Sequence, residues 1–398
     1  MRVLIVEDGR SSYIVVAARA LKAAGWHVGV GSPHGRTRAR WSRAVDRRHD
    51  VPPAEHDLGR FATAVRQAVL EEGYDLVFGG DDVEVLALSA VRDEVPALFP
   101  YGPDATVRRS FDKCELTRAA ARAGLAAPPT ELHRPDPGWA FPVVVKARLH
   151  WTPGAASAEP RMPARVCQSE HDLGERVAEI EHQGGEAVVQ PVVAGQLMAF
   201  TALCDRSATI VARSQQRAEA LSPHWGTSTL AVTELVDPAL AEGVQRLLTD
   251  LGWFGLANLQ FLRQPAGEAL LIDFNGRFYG SLALSVAAGV SFPRLWADLA
   301  TGRWTPAGGV VTARPGVRYQ ALENDLRRAF AERRRGLAVD LLGCALRGLT
   351  AAHSTWSWRD PVPGLGRAGA VLSGQLRARV GAAAKGRTRA GRRPHQSG

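Results

Sequence analysis

A chain of 398 residues, 45% apolar and 22% charged, is long enough for two or three compact units that each bury a core, and its composition is that of a soluble globular protein. Its net charge of +9 is uneven: from Val311 onward 17 Lys and Arg face 5 Asp and Glu, a balance of +12, whereas the first 310 residues sum to −3. The basic character therefore belongs to the C-terminal part.

The four cysteines, Cys114, Cys167, Cys204 and Cys344, lie far apart and form no CxxC pair. That scatter argues against a zinc or disulfide framework and fits reduced thiols in the cytoplasm. The apolar run of residues 1–6 is too short for a signal peptide, and nowhere do 18 apolar residues follow one another, so no membrane span is expected.

In chain order, Arg2–Val6 reads as a buried strand, residues 11–24 as a helix stopped by Gly25, and 26–30 as a second strand, together one βαβ unit. Leu58–Glu72 is a helix ended by Gly73, followed by a strand over 76–78 and the acidic loop Gly79-Gly-Asp-Asp82. No GxGxxG follows the first strand, which argues against a nicotinamide enzyme. Asp81, Asp82 and Glu84 either meet substrate in a cleft or cap the helix that starts at Val83.

An amphipathic helix follows Phe111 and stops at Gly124, before prolines that force extension. Residues 141–146 form a strand ending in Lys146, 150–164 a Pro/Gly/Ala-rich loop, 170–183 a helix and 187–193 a strand broken by Pro191. Strands are expected over 197–204 and 207–213, a helix over Pro238–Leu251, and another over 282–288 closed by Gly289. Residues 318–352 read as helical and basic, with Arg327, Arg328, Arg333, Arg334 and Arg335. From Pro361 the chain carries 8 basic and no acidic residues, and disorder is expected there.

The densest chemistry lies at 256–281. Residues 256–262 and 270–275 both alternate, and Gln264-Pro-Ala-Gly-Glu268 between them reads as a hairpin turn, which brings Gln260 level with Asp273. Leu271, Asp273 and Asn275 share one face, with Leu270, Ile272 and Phe274 on the other. Carboxylate and amide oxygens at paired strand ends suit Mg²⁺ held jointly with phosphate; an ordinary hairpin end with polar caps would look the same. Lysine is scarce: of 49 basic residues only Lys22, Lys113, Lys146 and Lys385 are lysine. As a compact point charge, lysine can sit against a nucleotide phosphate.

Three signals occur in order: Asp112-Lys113 with Gly124 and Pro128-Pro-Thr130; Pro142-Val-Val-Val-Lys146; and Asp273-Phe-Asn-Gly-Arg277 with Gly280-Ser281 and Ala288-Gly-Val290. Together they resemble the ATP-grasp superfamily, in particular its carbamoyl-phosphate-synthase-like and carboxylate-amine ligase members, over about residues 1–305. The resemblance implies α/β and α+β architecture: an N-terminal parallel α/β domain (1–104), an ATP-grasp small lobe (105–186) and catalytic lobe (187–310), then a helical basic extension (311–360) and a basic tail (361–398).

The resemblance further implies that Lys113 and Lys146 hold the nucleotide and that Gln190, Val192 and Val193 belong to the hinge strand that reads adenine. It makes Gln260, Asp273 and Asn275 ligands of two Mg²⁺ ions, with Mn²⁺ an acceptable substitute, and Arg277 the contact of the transferred phosphoryl group. The chain departs from the pattern in three places. Only Gly154 remains of a Gly-rich loop after Lys146, no carboxylate follows the hinge to bind ribose although Gln196 stands there, and Asp273 replaces the commoner Glu. Arg213, Arg217 and the loop 222–228 are candidate substrate contacts, or plain surface.

The implied activity is an ATP-dependent ligase: a small-molecule carboxylate is activated as an acyl phosphate, an amine displaces phosphate, and ADP and Pi leave. No specific nucleic acid partner is implied, and a homodimer is compatible. Two other readings are a phosphotransferase that stops at the phosphorylated product and a degenerate ATP-binding protein whose basic tail meets polyanions.

Overall fold

The computed structural model describes residues 1–371 and 373, apart from 36, 136–137, 154–161, 223–226, 307, 333–335, 370 and 372. Of the tail expected to be disordered from Pro361, residues 362–369 are helical instead; the tail from 374 on, Gly154, Arg333, Arg334, Arg335 and most of the loop 222–228 fall outside the described residues.

The N-terminal unit alternates strand and helix: β1 (Arg2–Val6), α1 (Tyr13–Ala23), β2 (His27–Ser32), β3 (Arg47–Asp50), α2 (Leu58–Glu72), β4 (Leu76–Gly79) and α3 (Asp82–Ala90). Its sheet is parallel in the order β3-β2-β1-β4, with Val3, Leu4 and Ile5 fully buried. Strands covered on both faces read as unbroken apolar runs, which is why β1 was legible. Edge strand β3, Arg-Arg-His-Asp, was not, because it is charged and mostly exposed. Helix α2 starts where Asp57 accepts from Arg60 N and stops at Gly73, whose φ of +65° suits a residue without Cβ.

Next come α4 (Asp104–Phe111), α5 (Lys113–Arg122), β5 (Glu131–Leu132), β6 (Val143–Ala147), β7 (Arg165–Cys167), α6 (Glu170–His182) and β8 (Ala187–Pro191). The four strands form an antiparallel sheet, β5-β8-β6-β7, with its own core of Val143, Val145, Cys167, Leu173, Val177, Ile180 and Val189. Because β8 lies between β5 and β6, the smaller lobe ends after Pro191 rather than at residue 186 as expected.

The remaining elements are β9 (Gln196–Cys204), β10 (Ile210–Leu221), β11 (Ser228–Glu234), α7 (Pro238–Leu251), β12 (Gly255–Arg263), β13 (Ala269–Asn275), α8 (Leu282–Ala287), α9 (Phe292–Ala300), β14 (Val311–Thr312), β15 (Arg318–Gln320), α10 (Leu322–Glu332), α11 (Leu337–Gly348) and β16 (Ala352–His353). Seven strands run β13-β12-β9-β10-β11-β15-β16, and β14 pairs with β10. Residues 318–320, expected to be helical, are thus a strand beside β11, and residues 311–353 complete the large sheet rather than extending from it. The segment after β16 is also fastened down: Asp360 accepts from Arg19 Nε at 2.8 Å and from Ser42 Oγ at 2.5 Å in the N-terminal unit. Among the described residues, no helix is long and apolar enough to cross a membrane.

One core joins the N-terminal unit to the large sheet. Phe78 stacks at a tilt on Phe278 (5.2 Å between centroids) and Trp296 (4.6 Å), while Tyr101 meets Trp253 and Trp296 edge-on. These rings fix β4 and the acidic loop after it against the β13 end of the sheet.

Candidate active site

The hairpin has the register expected for it: Gln260 faces Asp273 and Asn258 faces Asn275, with an irregularity between Gln260 and Phe261. Phe274, 1% exposed, points into the core and meets Trp253 edge-on at 4.8 Å. Leu271, expected on the face of Asp273 and Asn275, pairs instead with Phe261 across that irregularity, which turns it to the core side with Phe274, where it is buried. Beyond the strand, a Cβ on Gly276 would stand 2.5 Å from the Trp253 ring and 2.7 Å from that of Phe111. Only glycine lets the chain pass these rings between Asn275 and Arg277.

Two lysines of the smaller lobe reach this hairpin. Lys113 opens α5, whose N-cap Asp112 accepts from Cys114 N at 2.9 Å and Glu115 N at 3.1 Å. Its backbone N–H donates to the Arg148 carbonyl at 3.0 Å, and Arg148 Nε in turn donates to Asp112 at 2.7 Å, so helix start and strand end are tied together. The Lys113 ammonium pairs with Asp273 Oδ1. Lys146, near the end of β6, donates to the Ile272 carbonyl at 3.0 Å. Burial pushes the Lys146 ammonium down to about 8. Burial alone would push Asp273 up, but Lys113, His150 and Lys146 outweigh it and hold this carboxylate at about 2.

Arg277 is 3% exposed and its guanidinium is enclosed by acceptors. Nε donates to Asp82 Oδ1 at 3.0 Å, and Nη2 pairs with Asp81 Oδ1 at 3.0 Å and donates to Asn275 Oδ1 at 3.0 Å. Nη1 donates to the Phe278 carbonyl at 3.0 Å and to the Tyr13 hydroxyl at 3.3 Å. Burial disfavours its charge, and the two carboxylates more than restore it. Asp81 and Glu84 do cap α3, as a capping box, and the same loop grips Arg277. The pairing of the Gly79-Gly-Asp-Asp82 loop with Arg277, across 195 residues from Asp82, left no trace in the sequence beyond the two adjacent acids. His150 was likewise missed, although its Nδ1 lies 2.5 Å from Asp82 Oδ2.

The remaining candidates are dispersed around this centre. Gln190 is buried and donates to Thr130 Oγ1 at 2.6 Å, while Val192 is exposed just past β8. Val193 is half-buried. Gln196 donates to the Ala218 carbonyl at 3.2 Å. Arg213 donates to Thr312 Oγ1, and Arg217 pairs with Glu219 and Glu234, so both are held by neighbours on the large sheet.

The donor set fits a hard divalent ion. Asp273 stays ionised, Gln260 lies opposite it in the register, and Asn275 presents an amide oxygen already turned toward a cation, the Arg277 guanidinium.

The sequence model of a family described as ATP-grasp in the biosynthetic pathway with Ter operon matches residues 188–325. The fold is similar to that of an L-amino acid ligase from Bacillus licheniformis, with a TM-score of 0.58 at 15% identity, covering 80% of this chain and 78% of that one. With that family match, the likeness shows that the chain has the ATP-grasp fold. It is also similar to the biotin carboxylase domain of Hydrogenobacter thermophilus 2-oxoglutarate carboxylase, a dimer solved with MgADP, ADP and bicarbonate (TM-score 0.61, 15% identity, 79% and 73% covered). A third similar structure is N5-carboxyaminoimidazole synthetase from Staphylococcus aureus in complex with ADP (TM-score 0.59, 13% identity, 83% and 86% covered). The comparison with curated proteins gives no match.

Proposed function

We propose that the protein is an ATP-dependent ligase that joins a small-molecule carboxylate to an amine or similar nucleophile. The observation that carries this reading is the convergence of Lys113 and Lys146, from one lobe, on Asp273 and the Ile272 carbonyl of the other. A buried and a half-buried ammonium facing a carboxylate and amide oxygens form a site for triphosphate and divalent metal together.

In this reading Lys113 and Lys146 neutralise the phosphates, and β8 with Gln190, Val192 and Val193 walls the adenine. Gln260, Asp273 and Asn275 would hold two Mg²⁺, or Mn²⁺, whose positive charge would offset that of the phosphates. A substrate carboxylate oxygen attacks the γ-phosphorus and the bond to the β,γ-bridging oxygen breaks, releasing ADP. The amine then attacks the acyl carbon, phosphate departs with the C–O electrons, and the amine proton passes to phosphate or water. Arg277 holds Asn275 against the N-terminal unit; to contact the transferred phosphoryl group it must release part of its grip on Asp81 or Asp82. The four free, buried cysteines accord with a cytoplasmic protein, and a homodimer is compatible with the reading.

The test is release of ADP and Pi from MgATP across a panel of amino acids, small carboxylates and amines. Pi formation that requires both a carboxylate and an amine is the expected result, and Asn275→Ala should abolish it with the fold intact. An Asn275→Ala variant as active as the parent would sink the assignment.

A further inference from the structure

At the C-terminal ends of β1 and β2 the N-terminal unit holds a cavity of about 210 Å³ that shares no lining residue with the Lys113–Asp273 cluster. Glu7, Asp8, Glu55 and Glu84 stand in its wall, against Arg10 and His56. Glu7 is 2% exposed, and Glu55 and Glu84 are each 6% exposed. Glu7 accepts from Thr37 Oγ1 and from Gly9 N, and Glu84 accepts from Asp81 N at 3.0 Å.

Glu55 is different. Among the described residues, the one hydrogen bond its carboxylate takes is from its own backbone N–H, and no arginine, lysine or hydroxyl is bonded to it. His56 and Arg10 favour its ionised form, yet a nine-tenths buried carboxylate on a cavity wall with no side-chain hydrogen bond is unfavourable unless a further positive group meets it. Burial pushes Glu7 up to about 8, raises Glu55 and holds Glu84 well above the carboxylate range; a cation among them would let all three ionise. Nearby, Arg38 feels Asp8 and Glu7 but is not part of the wall.

The acids do not gather at a point. Among the described residues, no three His, Cys, Asp or Glu side chains come together closely enough to hold a metal ion. Acids spread around a space of this size suit a polyatomic organic cation, whose charge and N–H donors are themselves spread.

We propose that this cavity binds the cationic end of the amine substrate, an alkylammonium or guanidinium group, so that the acceptor is a diamine or a similarly basic amine. This names the substrate class and rests on the ligase reading. Glu84 on the cavity wall accepts from the backbone of Asp81, whose carboxylate holds Arg277, so the cavity and the reaction centre share the start of α3.

The experiment is calorimetric titration of the full chain, without nucleotide, with agmatine and with cadaverine, compared with N-butylurea as a neutral analogue and with MgCl₂. The dications are expected to bind at one site and the neutral analogue not to bind. Glu55→Gln should weaken the dications by about ten-fold or more, the loss of one charge-assisted contact. Ala54→Leu, which narrows the cavity without changing charge, should also weaken them, and serves if Glu55→Gln fails to fold. Absence of binding, equal binding of the neutral analogue, undiminished binding by both variants, or a Glu55-dependent response to MgCl₂ alone would overturn the proposal. If agmatine binds but no acid and amine pair releases ADP, the ligase reading fails and the substrate assignment with it, leaving the cavity as a site for organic cations; turnover without dication binding overturns the cavity assignment and leaves the ligase reading in place.

Discussion

His150 Nδ1 lies 2.5 Å from Asp82 Oδ2, while Asp82 Oδ1 takes Arg277 Nε at 3.0 Å. One carboxylate of the N-terminal unit therefore holds the residue that follows β6 in the smaller lobe and the arginine that follows β13 in the large sheet.

Asp82→Asn should lower stability by about 3 kcal/mol, because it removes one partner of a buried arginine and leaves Asp81 to compensate the charge alone. His150→Ala should cost less, about 1 kcal/mol, since it removes one hydrogen bond at a partly exposed site. Urea midpoints measure both; an Asp82→Asn midpoint equal to the parent would contradict the buried pairing.

Asp273→Ala should change which form of the nucleotide binds. It removes the carboxylate but spares the two lysines, so affinity for MgATP is expected to fall more than ten-fold while affinity for metal-free ATP is kept or improved. Titrations with and without EDTA give the ratio. Equal losses for the two forms would place the metal elsewhere.

Lys146 sets a pH dependence. Its ammonium is held down at about 8, below the ordinary lysine value, so above that pH the folded chain binds fewer protons here than the unfolded chain. Between about pH 8 and 10.5 this group therefore adds stability as pH rises, the unfolded state being the one that must still release its proton. Phosphate binding runs the other way, because it needs the ammonium. MgATP affinity should fall above pH 8, and binding at pH 8.5 should take up a proton, seen as a dependence of the calorimetric heat on buffer ionisation enthalpy. Lys146→Met should lose that proton uptake.

Glu7 has the opposite linkage. Burial raises it to about 8, so between about pH 4.5 and 8 the unfolded chain ionises this group and the folded chain does not, and stability is lost as pH rises through that window. Glu7→Gln mimics the protonated group. Its melting temperature should rise relative to the parent between pH 5 and 8, and a pH-independent difference would show that Glu7 is ionised in the fold.

Gly276→Ala should destabilise by about 1–3 kcal/mol and weaken MgATP binding as well, because the new methyl must displace the Trp253 and Phe111 rings on which the Asn275–Arg277 turn rests. Loss of stability with nucleotide affinity unchanged would uncouple the turn from the site.

What the sequence determined by itself was local. Alternation over 256–262 and 270–275 placed Gln260 opposite Asp273, because side chains on a strand repeat every two residues and a short polar turn sets the register. Gly73 and Gly124 marked helix ends because a residue without Cβ takes the left-handed backbone that ends a helix. The scarcity of lysine pointed to Lys113 and Lys146, and these two do meet the hairpin. Only the tertiary structure decided that β8 joins the smaller sheet, that Arg318–Gln320 is a strand, that Asp81 and Asp82 grip the Arg277 that follows β13 while His150 meets Asp82, and that Glu55 faces a cavity beside Glu7 and Glu84. Strand pairing and buried ion pairs join residues tens to hundreds of positions apart, and their strength depends on a surrounding core of low dielectric that no local window contains.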